Sequence, residues 1–347
     1  EGNATTESAY YLCANRGKRS IALDISTAEG QQIIKQLAAE SDVLLENYKV
    51  GGLKKYGLDY ENLREINPRL IYCSITGFGH SGPYQHRAGY DFMIQGMGGL
   101  MSVTGEPDGS PVKVGVAVTD IFTGLYATIA IQGALLERER SGLGQHIDMA
   151  LLDSQVAVLA NQASNYLVGD VVPTRLGNAH PNIVPYQAFA ASDGYIILAV
   201  GNDSQFKNFC ELAGKPELAA QPEYATNQAR VQNREALCAE VAKLLAQHSE
   251  DYWLRELTAQ GIPCGPVNSV DKVMADPQVN ARNMRTTVKH PYNDKLQLVG
   301  SPIKLSRTPV NTERAPPLLG EHSDEILADL GYTASDIEAL KAKGFVA

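Results

Sequence analysis

Two periods of apolar residues, one helical and one extended, alternate along the first half of the chain. Ser26-Thr-Ala-Glu29 has the form of a capping box, and behind it Ile33, Ile34 and Leu37 fall on one side of a predicted helix. Val43-Leu-Leu45 reads as a short buried strand, followed by a loop at Gly51-Gly52. Leu63 and Ile66 mark a short helix that ends near Asn67-Pro68, because proline disfavours helix in the residue before it. Leu70-Ile-Tyr-Cys-Ser-Ile75 is a second strand and Gly77-Phe-Gly-His-Ser-Gly-Pro83 a turn-rich loop. A helix is predicted from about Tyr90 to Met101. A strand with Val114, Val116 and Val118 then runs into a helix through Leu125, Ile129 and Leu136 to Arg138 and Arg140. His146-Ile-Asp-Met149 leads into a helix with Leu152, Val156, Leu159 and Ala163. This alternation predicts an α/β fold with a doubly wound parallel sheet.

Beyond residue 178 the pattern changes. Tyr186-Gln-Ala-Phe-Ala and Tyr195-Ile-Ile-Leu-Ala-Val200 flank a turn at Ser192-Asp-Gly194, the pattern of a hairpin. Amphipathic helices are predicted over 234–247 and 252–260, and Gly261-Ile-Pro-Cys-Gly-Pro266 breaks the chain. Two further strands, 287–290 and 295–299, are split by Pro291-Tyr-Asn-Asp294, and a proline-rich connector from Arg314 leads into a short helix through Leu330. The expected division is a large domain over 1–178, a smaller α+β domain over 179–290, and a segment 291–347 that returns to the large domain.

Composition narrows the function classes. A chain of 347 residues with 44% hydrophobic content can bury a large core in two domains. A net charge of −9 argues against nucleic-acid binding, which calls for a basic domain. No run approaches the ~18 consecutive apolar residues of a membrane span, so no membrane partner is expected. The opening Glu1-Gly-Asn-Ala-Thr-Thr has no signal-peptide pattern and no initiator Met, so an earlier segment is expected to precede it. Cys13, Cys73, Cys210, Cys238 and Cys264 are odd in number and scattered, and the seven histidines form no ligand motif. Neither a disulfide framework nor a metal site is expected, and a reducing compartment follows, the cytoplasm or, in a eukaryote, the mitochondrial matrix.

Asp120, at the predicted strand-to-helix junction, is the leading candidate for chemistry. Free helix N–H groups beside a carboxylate favour the anion and a nearby oxyanion, which suits a carboxylate nucleophile; the plain alternative is an N-cap. Arg16, Lys18 and Arg19, and Lys49, Lys54 and Lys55, lie beside strand ends and are candidates for cofactor phosphates or, equally, a solvated basic face. Gly96, Gly98 and Gly99 lack the G-x-G-x-x-G spacing of a dinucleotide site and read as close packing. Tyr90 offers a phenol, Asp91 a cap or first-turn anion; Asp148 and Asp153 are rival carboxylates, the latter structural. Arg175 and His180, in a polar loop, are candidates for a substrate carboxylate, or simply part of a linker.

Eight blocks then add to a resemblance that runs in order along the chain: Asn15-Arg-Gly-Lys-Arg-Ser-Ile-Ala-Leu-Asp24, Asp42-Val-Leu-Leu-Glu-Asn47, Ile66-Asn-Pro-Arg-Leu-Ile-Tyr72, Gly77-Phe-Gly-His-Ser-Gly-Pro83, Ala88-Gly-Tyr-Asp91, Gly142-Leu-Gly-Gln145, Gly261-Ile-Pro-Cys-Gly-Pro266 and Leu319-Gly-Glu-His322. The sequence resembles the class III CoA-transferases; Tyr72-Cys-Ser-Ile-Thr-Gly77, Arg87-Ala-Gly-Tyr-Asp91 and Ile183-Val-Pro-Tyr-Gln-Ala-Phe189 carry a finer similarity to the succinyl-CoA-dependent dicarboxylate transferases, especially glutarate CoA-transferase. The resemblance implies a Rossmann-like large domain, a small domain and an interlocked homodimer. Asp120 takes the nucleophile's position, and CoA contacts fall on Leu23, Asp24, Ser26, Asn47, Tyr48, Lys49, Lys55, Arg87 and Tyr90. Some relatives have Arg where Lys55 stands, so phosphate would meet a point charge there. The coenzyme A thioester is substrate, and no tightly bound cofactor is implied. Relatives begin with an earlier strand–loop–helix, so part of the CoA site and of the sheet is expected to lie outside this sequence. The glycine-rich substrate loop of formyl-CoA transferase is not visible.

The rival readings differ in chemistry. An α-methylacyl-CoA racemase needs two opposed acid/base groups, and Tyr90 stands where those enzymes carry His; a phenol with pKa about 10 is a poor base. A nicotinamide oxidoreductase lacks its glycine fingerprint here, and a non-catalytic homologue leaves Asp120 unexplained, since Ser, Thr or Asn would cap as well. Among acceptors the sequence leaves glutarate, itaconate, citramalate, mesaconate, malate, carnitine and oxalate open.

Overall fold

The computed structural model describes residues 7–311 and 313–347; the opening segment 1–6, read above for a leader pattern, and Thr312 lie outside the described residues. The chain divides into two compact units. The first holds the described residues up to Ile94 together with Val118–Gln155 and Asp271–Ala347, the second Gln95–Ala117 and Val156–Val270. This division departs from boundaries at 178 and 290: residues 95–117 and 156–178 go with the second unit and 271–290 with the first. Units are set by which segments pack together, and a change of periodicity along the chain does not report that.

In the first unit three parallel strands, β1 (Val43–Glu46), β2 (Ile71–Thr76) and β3 (His146–Ala150), lie in that order, with Leu44 beside Tyr72 and Tyr72 beside His146. Helix α1 (Ala28–Glu40) precedes β1, and α2 (Tyr60–Ile66) joins β1 to β2. Their apolar sides meet in a core of Ala38, Leu53, Leu58, Leu63, Leu70 and Tyr72. The cap of α1 is Thr27, whose hydroxyl accepts from the Gly30 N–H, one residue later than the box read from Ser26; Ser26 instead donates to Asp24. β1 is half-buried rather than buried, with Leu45 exposed. β2 is covered on both faces, as expected of a middle strand in a parallel sheet.

The segment 113–117 is not a strand. Val114 gives its N–H to the Gln95 side chain, Val116 is exposed, and helix starts at Val118. Among the described residues these alternating valines have no neighbouring strand, and an extended segment without a ladder is loop. The predicted helix from Tyr90 to Met101 is likewise shorter: α3 spans Asp91–Met97, and Gly99, with φ +86°, turns the chain into a short 3-10 segment. Helix α4 (Val118–Ser141) packs Thr119, Thr123, Ala127, Ala134 and Arg138 inward and contacts β2 and β3. Arg138 bonds the Asp42 carboxylate at 2.7 Å and the Arg69 carbonyl at 3.0 Å, tying the end of α4 to the starts of β1 and β2. Gly144 passes so close to the Leu70 carbonyl that a methyl would not fit.

On the opposite side of α4, Ile121, Leu125, Ile129 and Leu136 are exposed. By length and composition α4 is apolar enough to cross a membrane, with 22% of its most apolar window buried. The helix is nevertheless not an unbroken apolar run, because Thr119, Asp120, Thr123 and Gln132 interrupt it.

The first unit also contains the C-terminal segment. Leu23 bridges Val346, His322 N–H donates to the Ser20 carbonyl, and Ile33 packs with Leu327, Ile337 and Val346. Two helices, Ser323–Asp329 and Ala334–Ala342, form this return; the second, opened by a Thr333/Asp336 capping box, was not anticipated. Arg285–His290 and Asn293–Val299 form an antiparallel hairpin.

In the second unit β4 (Tyr186–Ala190), β5 (Tyr195–Ala199) and β6 (Cys264–Pro266) make an antiparallel sheet in that order. Residues 264–266, read as a break, thus supply a strand. Helices Asp203–Leu212, Arg234–Leu245 and Glu250–Ala259 bury Phe206, Phe209, Leu237, Val241, Trp253 and Leu257 against Ile196 and Leu198. The helix after β3 is broken in two, Leu151–Ala157 and Ala160–Gly169, and Ala160, at φ +47°, opens the second.

Candidate active site

Strand β2 runs into the loop 77–83, which is held from three sides. Gly79 N–H donates to Thr76 Oγ1 at 2.9 Å, His80 N–H to Asp148 Oδ2 at 2.9 Å, and Leu152 N–H to the Gly77 carbonyl at 3.1 Å. Asp148, a rival carboxylate, therefore anchors this loop, and Asp153 is exposed in the first turn of its helix. The following loop, 84–90, crosses the first at Gly77 and Gly89. A methyl on Gly77 would lie 2.5 Å from the Gly89 Cα.

A cavity of about 280 Å³ opens beside this crossing. Asn47, Tyr48 and Lys49 line it from the end of β1, Thr76 and Gly77 from the end of β2, and Gln85, His86, Arg87 and Tyr90 from the second loop. The site thus lies at the carboxyl ends of parallel strands, where open α/β sheets bind ligands. Asn47 donates to the Ile75 carbonyl at 2.6 Å, and the Glu46 carboxylate accepts the Tyr48 N–H, so the floor is hydrogen-bonded to its own strands. The Arg87 guanidinium lies 4.6 Å over the Tyr84 ring and 5.2 Å over that of Phe78, and Tyr90 is 74% exposed. Gln85 and His86 were not singled out from sequence; nothing distinguishes them from ordinary loop residues except their place between Pro83 and Gly89.

Asp120 sits exposed in the first turn of α4, the longest helix among the described residues. It does not cap its own helix. Asp91 does: its Oδ1 accepts the Thr119 N–H at 2.9 Å and the Asp120 N–H at 3.4 Å. Thr119 Oγ1 donates to buried Gln155 at 2.6 Å, and Thr123 Oγ1 to the Thr119 carbonyl at 2.8 Å. Partial desolvation first, and the Asp91 carboxylate second, raise the Asp120 carboxyl above its ordinary pKa. Asp91 follows Tyr90 directly, so one residue joins the cavity wall to the helix that carries Asp120.

Other predicted contacts lie elsewhere. Leu23 is spent on the bridge to Val346, and Asp24 accepts from both the hydroxyl and the N–H of Ser26, which hold its carboxyl below the usual range. Lys55 lies 4.5 Å over the Tyr56 ring. Leu23, Asp24, Ser26 and Lys55 do not line the cavity at Asn47–Tyr90. The early basic cluster has other partners: Arg16 bonds the Val299 carbonyl, Lys18 bonds Asn15, and Arg19 pairs with Glu325 and Asp329. The Arg16 and Arg19 contacts hold the C-terminal return across 283 to 310 positions, a pairing the sequence does not display, whereas the Lys18 bond is local. In the second unit Arg175 donates to the carbonyls of Glu106, Pro107 and Gly109, and His180 Nδ1 accepts the Asn182 N–H while its ring packs on Tyr186. Both have structural tasks. A methyl on Gly99 would meet Leu159 at an ordinary 3.4 Å, so close packing does not account for this glycine; its left-handed φ of +86° does.

The cavity at the sheet end and the helix-terminal Asp120 belong to a chain whose residues 1–323 fit CoA-transferase family III, and the chain belongs to that family. It is an enzyme that transfers CoA, with a mixed α/β fold containing a parallel sheet. It is 52% identical over 326 residues to the succinate–glutarate CoA-transferase of Agrobacterium fabrum, covering 93% of this chain and 80% of that one. It is 44% identical over 342 residues to the human succinyl-CoA:glutarate CoA-transferase, covering 98% and 78%. A crystal structure of a CAIB/BAIF family protein from Brucella suis superposes with a TM-score of 0.85 at 54% identity, over 93% of this chain and 84% of that one.

Proposed function

We propose that this chain moves CoA from succinyl-CoA to glutarate, with Asp120 as the nucleophile. The observation that carries the reading is Asp120 in the first turn of α4, its N–H fixed by Asp91 at the edge of the cavity wall. The printed activities of the Agrobacterium and human relatives support the donor and acceptor. An Asp120 oxygen attacks the succinyl carbonyl and the C–S bond breaks, leaving an aspartyl–succinyl anhydride and CoA thiolate. The thiolate attacks the aspartyl carbonyl and expels succinate, giving an aspartyl-CoA thioester. A glutarate carboxylate then displaces the thiolate to form the aspartyl–glutaryl anhydride. Return of the thiolate to the glutaryl carbonyl yields glutaryl-CoA and restores the carboxylate. A carboxylate suits this sequence because an anhydride keeps the acyl group activated, whereas an ester to Ser would hold it too stably. No general base is needed, because the reactive form is the carboxylate itself.

Asn47, Tyr48, Lys49, Arg87 and Tyr90 are assigned to CoA by their place around the cavity. Leu23, Asp24, Ser26 and Lys55 remain assigned by resemblance alone, and Arg175 and His180 by position in the chain. The three backbone bonds of Arg175 make it a support for the loop 106–109 in this reading. The assay is purified protein with succinyl-CoA and a mixture of glutarate, itaconate, mesaconate and citramalate, followed by mass spectrometry of acyl-CoA species. Glutaryl-CoA is the expected main product. A different acyl-CoA in excess would reassign the acceptor, and exchange of the α-proton of an α-methylacyl-CoA would move the assignment to racemisation.

The parallel sheet is read as part of a Rossmann-like, doubly wound domain whose chain interlocks with a second copy. Support comes from the outer face of α4, where Ile121, Leu125, Ile129 and Leu136 stand in water. A bilayer would cover them too, but α4 packs inward on an open sheet, and open sheets do not enter lipid. Sedimentation at micromolar protein is expected to give a dimer; Ile129→Glu and Leu136→Glu together should shift it to monomer. A monomeric parent chain would end this reading. Five free thiols suit the reducing cytoplasm as compartment.

A further inference from the structure

We propose that Asp91 is a positioning residue for CoA transfer: through Oδ1 it closes the N-terminus of α4 and holds Asp120 in its attacking orientation. The inference rests on Asp120 being the nucleophile. Four features carry it.

The first is the missing local cap. The residues before α4 are Val116 and Ala117, which have no side chain able to accept a hydrogen bond. The leading N–H groups of a helix need an acceptor. Here the Asp91 carboxylate, 28 positions before Thr119 and 29 before Asp120, supplies it to both.

The second is rigidity. Thr119, the residue before Asp120, is completely buried and is gripped again through its hydroxyl by Gln155. Asp120 thus follows two peptide units whose N–H groups are both held by Asp91, while its own side chain is exposed. A fixed backbone beneath a free carboxylate is what an in-line attack requires.

The third is connectivity. Asp91 follows the crossing of Gly77 and Gly89 and the cavity residues Arg87 and Tyr90 without a break. Any ligand that orders the 84–90 loop therefore acts on the cap of the nucleophile's helix through one residue.

The fourth is charge. A neutral acceptor would cap equally well, so an anion beside an anionic nucleophile calls for a reason. Asp91 is the charged group that acts on Asp120, and it does so by repulsion. Acylation turns Asp120 from an anion into a neutral anhydride and then a neutral thioester. The repulsion is present in the free enzyme and relieved in both covalent states, so Asp91 disfavours the resting carboxylate relative to the acylated one. Desolvation of Asp120 acts in the same direction. The expected consequence is faster acylation with little effect on binding.

The test uses the full chain with Asp91→Asn and Asp91→Ala, read by kinetics and by amide hydrogen exchange. Asn keeps the acceptor and removes the charge. Its Thr119 and Asp120 amides should stay protected, the acid limb of kcat should move to lower pH, and kcat should fall about tenfold with KM for succinyl-CoA unchanged. Ala removes the acceptor as well. Its two amides should exchange faster, and kcat should fall about 100-fold, the scale of an ångström-sized misplacement. The proposal is overturned if Asp91→Ala leaves amide protection intact, if its kcat equals the parent's, or if either variant raises KM with kcat unchanged. Amide exchange needs no substrate. A parent enzyme inactive with succinyl-CoA and glutarate would therefore count against the proposed function, while unaltered exchange in Asp91→Ala would count against the cap.

Discussion

Asp120→Asn is expected to abolish CoA transfer, lowering kcat by on the order of 10⁴-fold or more, as loss of a covalent nucleophile does. Asn matches Asp in size and leaves the Asp91 cap on the backbone N–H groups untouched, since those bonds do not involve the Asp120 side chain. An amide cannot form the anhydride, so incubation with succinyl-CoA should add no succinyl or CoA mass to the protein, whereas the parent enzyme should acquire one. The substitution should not weaken the fold. The folded-state pKa of Asp120 is raised, so the folded chain holds that proton more tightly than the unfolded chain. Stability from this group is greatest at low pH and falls as pH rises from the unfolded value through the folded one. Near neutrality the charged carboxylate works against folding, and Asn removes that load. Thermal melts should accordingly show the variant at least as stable as the parent near pH 7, with the advantage vanishing in acid. Activity retained within tenfold would remove Asp120 from the mechanism, and a variant markedly less stable at neutral pH would contradict the electrostatics.

Gly77→Ala is expected to disrupt the site from its floor. The new methyl would lie 2.5 Å from the Cα and 2.7 Å from the N of Gly89, both backbone atoms with no rotamer to yield. Gly77 is held in place through its carbonyl by Leu152 N–H, and the loop beyond it by Asp148. One of the two loops must therefore move, and Gly89 leads directly to Tyr90 and Asp91. Ordinary overpacking of a core costs ~1–3 kcal/mol, and a clash of backbone on backbone should reach at least the top of that range. The denaturation midpoint in urea should fall accordingly. Under conditions where the variant is folded, its kcat/KM for succinyl-CoA should drop by more than tenfold, because the cavity and the cap of α4 share this support. Gly77→Ala with the parent's midpoint and activity would show that the crossing relaxes freely. Gly89→Ala provides the reciprocal substitution and should behave alike.

Much of the fold was legible along the chain. The strands at 43–46, 71–76 and 146–150, the helices that separate them, and the hairpin at 186–199 follow from apolar periodicity and turn residues. These are local signals: a strand covered on both faces, like β2, must be apolar throughout, and a two-turn helix such as Tyr60–Ile66 must place Leu63 inward. The family was legible too, because its motifs are spread along the chain in order. Misreadings arose where the outcome depends on a distant neighbour. Val114 and Val116 alternate like a strand, but no strand among the described residues lies alongside. Residues 264–266 look like a break, and β5 makes them a strand.

The sequence by itself determined the class of enzyme, the α/β character of the first half, and the place of a carboxylate at the start of a long helix. These depend on residue type and spacing, which are properties of the chain read in order. Tertiary structure alone decided that Asp91 caps the helix of Asp120, that Asn47, Lys49, Arg87 and Tyr90 surround one cavity, and that Arg19 meets Glu325 and Asp329. Hydrogen bonds and ion pairs act over a few ångströms, so their partners depend on which segments fold together. Intervals of 29 or 306 residues leave no trace in a local pattern.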